Sequence, residues 1–153
     1  MYRFVAIVFI LFLAGCKPEK KQPEFSGNDI SNVITHMTEI MVHDITNPPL
    51  AARFYAYACL AGYEVVAQNN KDIPDLHGIL NEYPDIERSD SIKGYSYQLS
   101  ALLAIMHTAS KLQPNGPRFV AIEKKFLDSL RNAGVDEEVI AASKQNAVLV
   151  ASR

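Results

Sequence analysis

The sequence predicts an all-α fold, an antiparallel bundle of about five helices around a central apolar helix at residues 49–68. Three observations predict it. Apolar residues recur at i, i+3, i+4 and i+7 in several segments, and no stretch shows the sustained alternation of a strand. Breaks fall between those segments, at Asn47-Pro48-Pro49, around Pro74, Gly78 and Pro84, at Pro114-Asn115-Gly116-Pro117 and at Gly134. The run Leu50–Ala67 is apolar on every side, with Arg53 and Glu64 its only charges, so neighbouring helices are expected to bury it.

The 153 residues divide into three parts. Residues 1–15 read as an export signal, with Arg3 as the positive region and Phe4–Leu13 as an apolar run too short to span a bilayer. The run ends in Leu13-Ala14-Gly15-Cys16, which resembles the bacterial lipobox, and that resemblance implies lipidation of Cys16 and cleavage before it. The alternative is an ordinary secretory peptide with an incidental cysteine. Residues 16–28, rich in proline and lysine, read as a tether. Residues 29–153 form the helical domain, expected to be incomplete at its C-terminal end, because the last helix ends apolar without a stop signal. The implied location is the bacterial cell envelope, with the membrane as partner through Cys16 and with two acyl chains sufficient for stable anchoring.

A net charge of −2 and a pI near 6.1 leave no footprint for nucleic acid. With Cys16 lipidated, Cys59 is the only thiol, and no intramolecular disulfide forms. Cys59 lies in the most apolar helix and reads as a small buried hydrophobe.

Asp29–Asp44 is an amphipathic helix with Ile30, Val33, Ile34, Met37, Ile40 and Met41 inward and Asn28 or Asp29 as its cap. His36 and His43 lie on its rim, and their spacing is not that of a metal site. Asn47 caps the central helix, and Pro48 and Pro49 fit its first turn. Within it, Arg53, Tyr57, Leu60 and Glu64 fall within about 40° of one another, a stripe expected to find buried polar partners. Arg53 and Glu64 lie about 16 Å apart along the axis, so each needs its own partner or one lies at the surface. The candidates are acidic residues at helix ends, Asp44 among them, for Arg53, and a tyrosine hydroxyl or a basic residue on a packed helix for Glu64. A transmembrane role for Leu50–Ala67 is the competing reading.

Residues 69–94 read as a polar loop with one short helix around Leu76, Ile79 and Leu80. Its acidic content lacks the spacing of a calcium loop. Tyr95–Leu112 is a helix burying Tyr95, Leu99, Leu102, Leu103 and Met106, with His107 at the edge. Arg118–Asn132 follows with Phe119, Ile122, Phe126 and Leu130 inward and Gly134 just beyond its end. Asp136 caps the last helix.

The motif His43-Asp44, Asn47-Pro48-Pro49, Arg53, Tyr55-Ala56-Tyr57 and Tyr63-Glu64 resembles the N-terminal helical region of bacterial vanadium-dependent haloperoxidase-like proteins, of the type 2 phosphatidic acid phosphatase superfamily. The likeness runs from about Ile30 to the last residue and is sharp between His43 and Glu64. It implies a structural role for His43, Asp44, Pro48, Pro49, Arg53, Tyr55, Tyr57 and Glu64. The superfamily's chemical signature is a lysine and an Arg-Pro pair, then Ser-Gly-His, then an arginine followed by a histidine and an aspartate. Here no arginine precedes a proline and no histidine follows a glycine. The resemblance therefore implies no catalytic residue and no cofactor in this chain, with vanadate or phosphate held only by a missing catalytic half. Two functions follow: the helical N-terminal portion of a membrane-anchored phosphatase or haloperoxidase-like protein, or a free-standing lipid-anchored binding module of the envelope.

Overall fold

A computed structural model describes residues 22–86, 88 and 91–152. Among these residues the fold is all-α: α1 (Gly27–His43), α2 (Pro48–Asn69), α3 (Tyr97–Leu112), α4 (Gly116–Asn132) and α5 (Glu137–Ala151). The signal segment, Cys16 and most of the tether lie outside the described residues.

Local chemistry sets the helix ends. Ser26, not Asn28 or Asp29, caps α1; its backbone N–H donates to the Asp29 carboxylate at 2.7 Å, so Asp29 closes a capping box from the third helical position. Asn47 caps α2 by accepting from the Leu50 N–H at 3.0 Å, and the two prolines occupy positions where a helix needs no donor. Ser96 caps α3, which leaves Tyr95 outside the helix, half-buried, with its hydroxyl donating to Asn69 at 2.9 Å. Asp136 caps α5, and Gly134 takes φ +80°, the left-handed turn that ends α4.

Helices α2 and α3 pack along one another, and α3 is the more deeply enclosed of the two. Leu99, Ala104 and Ala109 are fully buried, and Ala101, Leu102, Leu103, Ile105 and Met106 are buried around them. At Gly62 the two helices approach closely: a Cβ would stand 2.6 Å from Ile105 Cγ1 and 3.3 Å from the Ala101 carbonyl. Buried Val33, Met37, Ile40 and Met41 close the core from α1; Phe119 and Leu127 do so from α4, and Val139, Ile140, Ala147 and Val150 from α5. In α4, Ile122, Phe126 and Leu130 are only half-buried, because the face is turned so that Glu123 points inward. Lys144 reaches Glu123 at 2.6 Å and compensates it.

Helix α2 is not enclosed on every side. Ala52, Ala56, Tyr57 and Cys59 are exposed, and Cys59 is therefore not the buried hydrophobe expected. Small apolar side chains lose little when left at the surface, so an apolar sequence does not force complete burial. No described helix is long and apolar enough to cross a membrane, which overturns the transmembrane reading of Leu50–Ala67.

Candidate functional site

The family-like residues gather at two places. The first is the α1–α2 turn. His43 Nδ1 and the Asn115 side-chain amide both meet Asp44 Oδ1, at 3.0 and 3.1 Å. Asn115, which precedes α4, thus ties that helix to the turn. Asp44 is held below the usual carboxylate range, first by the hydrogen bond from His43 and then by the one from Asn115. The Thr38 and Tyr55 hydroxyls share a 2.6 Å hydrogen bond that fastens α1 to α2. The turn leaves Ile45 at φ +52° and almost wholly in solvent.

The second place is a cleft of about 630 Å³ beside α2, walled by Tyr57, Leu60, Leu80, Tyr83, Leu112 and Val150, with Glu64 in its wall. Glu64 is only 3% exposed. Tyr83 donates to Glu64 Oε2 at 3.2 Å, and Gln68 donates to Oε1 at 3.3 Å. Burial, and then the Glu64 charge, push the Tyr83 hydroxyl up to about 12. The residue that completes this cluster comes from the 70–96 connector, which forms turns where a short helix around Leu76 was expected; Ile79 and Leu80 are exposed. Tyr63 anchors the same connector through the Pro74 carbonyl at 2.8 Å.

The polar stripe on α2 is therefore split. Glu64 is buried and finds its tyrosine, whereas Arg53 is exposed and Tyr57 is 54% exposed. Asp44 binds His43 and Asn115 instead of Arg53. The two charges share a face but sit three turns apart, and the connector covers only the Glu64 end. Tyr83 was not singled out from sequence; an aromatic next to Pro84 in a polar loop was the only signal.

Another concavity, about 480 Å³ and mostly apolar, lies between Phe25, Cys59, Gly62 and Tyr97. Partial burial raises the Cys59 thiol above its ordinary value. A further one holds His36 and Lys125, but His36 Nδ1 is engaged by Glu39 at 3.1 Å. Among the described residues no group of three or more His, Cys, Asp and Glu is placed to hold a metal ion.

No protein-family profile matches the sequence, and no curated protein matches it. The crystal structure of a bacterial vanadium-dependent iodoperoxidase does match, with TM-score 0.81 and 29% identity over 88% of this chain. The fold is a haloperoxidase-like helical domain. It spans 32% of the iodoperoxidase chain, about a third.

Vanadate is an oxyanion, and holding it takes several converging donors and cations. Among the described residues, the cleft of this haloperoxidase-like domain offers Glu64 and Glu82 and no Lys, Arg or His in its lining. Its residues do not fit vanadate or phosphate.

Proposed function

We propose that the chain is the helical N-terminal portion of a membrane-anchored vanadium haloperoxidase-like or acid phosphatase-like protein, and that it serves as scaffold while the oxyanion chemistry lies in another portion. The observation that carries this reading is the match to one third of an iodoperoxidase at 29% identity, in a chain without the superfamily's Arg-Pro and Ser-Gly-His elements. The chain alone is expected to show neither vanadate-dependent iodide oxidation nor phosphomonoester hydrolysis. Turnover in either assay that survives purification would overturn the assignment. The ordered succession of Arg3, the apolar run and Leu13-Ala14-Gly15-Cys16 supports anchoring through lipidated Cys16 at the cell envelope. Incorporation of labelled palmitate, lost in Cys16→Ser, is the expected result.

A second reading, a free-standing lipid-anchored binding module, draws support from the domain's own closed core. The DNA immediately downstream separates the two. Sequence encoding the Arg-Pro and Ser-Gly-His elements favours the enzyme portion, and an unrelated gene favours the module.

A further inference from the structure

The Glu64 cleft carries a charge that no described residue balances. Glu64 is buried, yet among the described residues no cation lies within 4.0 Å of it; its partners are Tyr83 and Gln68. A carboxylate has about four acceptor positions, and these two donors use two of them. Glu82 adds a second negative charge to the lining, and among the described residues no basic side chain lines it. The Thr108 hydroxyl oxygen in the same lining is buried and has no hydrogen-bond partner in the structure. Around these polar groups the walls are apolar, and two wall residues, Tyr57 and Leu80, are 54% and 40% exposed. Large apolar side chains at the rim of a pocket whose buried charge is uncompensated mark a surface meant for a partner.

We propose that this cleft is the docking seat for a protein segment presenting one arginine or lysine between apolar side chains, with the cation against Glu64 and the apolar neighbours on Tyr57 and Leu80. Charge complementarity selects this occupant: a buried carboxylate favours a cation that completes its hydrogen bonding and repels an anionic one. A guanidinium suits the site best, since its planar fork can use the free acceptor positions while its stem lies along the apolar wall. The volume, about 630 Å³, admits one such side chain with its neighbours. This deepens the scaffold reading by naming the chemistry of the portion that would pack here, but its test does not depend on that reading.

The test uses the full chain in detergent micelles, with the peptide acetyl-Leu-Arg-Leu-amide as probe and its citrulline analogue, equal in shape but uncharged, as control. Binding is followed by NMR shifts of the Tyr83 and Leu80 resonances. The arginine peptide is expected to bind roughly tenfold more tightly than the citrulline peptide, the scale of one charge-assisted contact. Glu64→Gln, shown to be folded by its circular dichroism, should abolish that preference, and Tyr57→Ala should weaken both peptides alike. Equal affinity of the two peptides, a preference that survives Glu64→Gln, or shifts confined to another face would each overturn the proposal. Failure here leaves the activity assays of the scaffold reading untouched.

Discussion

The Tyr83 hydroxyl donates to the Glu64 carboxylate at 3.2 Å, joining the 70–96 connector to the central helix α2 across nineteen positions of chain. This bond holds a turn-rich segment over one end of α2 and turns Glu64 from a surface charge into a buried one. It also makes the Tyr83 hydroxyl hard to ionise, because burial and then the Glu64 charge favour the neutral phenol.

A spectrophotometric titration at alkaline pH should therefore show one tyrosine ionising near 12, well after the ordinary value of 10. A group raised in this way supports folding below the unfolded value, and that support is lost as pH rises from 10 through about 12. Glu64→Gln should move the late step to lower pH. A late step unchanged in Glu64→Gln would assign it to another residue.

Glu64 and Arg53 should differ sharply in what their removal costs. Glu64→Ala leaves the Tyr83 hydroxyl without its acceptor and removes one of the two acceptors of the Gln68 amide, and should cost about 1–3 kcal/mol. Arg53→Met changes an exposed side chain and should stay within about 0.5 kcal/mol. Urea unfolding of both variants measures the contrast, and equal losses would contradict the split of the stripe.

At Gly62 the constraint is space. An added Cβ would stand 2.6 Å from Ile105 Cγ1 and 2.8 Å from its Cδ1, so Gly62→Ala should lose about 1–3 kcal/mol through overpacking. Ile105→Val removes the Cδ1 contact, and the double variant should recover part of the loss. Strictly additive losses would show that the two positions do not press on each other.

His107 on α3 is half-buried, and burial, followed by Lys111, lowers its pKa, while Glu123 pulls the other way and Lys144 adds to the lowering. A histidine lowered in the fold supports stability above its unfolded value of 6.5, and that support is lost as pH falls through the lower folded value. The melting temperature should fall as pH drops below the unfolded value of 6.5, and His107→Gln should flatten that limb. An acid limb unchanged by the substitution would place the titrating group elsewhere.

The sequence by itself determined which segments are helical, because period and end chemistry are local. Asn47-Pro48-Pro49 sets the start of α2, Asp136 caps α5 and Gly134 ends α4, each by donor counting or backbone freedom within a few residues. The resemblance around His43–Glu64 was legible too, since it rests on residue types in order. Only the tertiary structure decided which faces are covered. Arg53 and Glu64 look equivalent on a helical wheel, yet a connector contributing Tyr83 from nineteen residues away encloses one and leaves the other in water. Cys59 and Ala56 read as core by composition but face solvent, while Glu123, a charged residue, turns inward because Lys144 on α5 arrives to meet it. Burial belongs to the neighbours a residue acquires, and those come from distant parts of the chain whose approach no local pattern encodes.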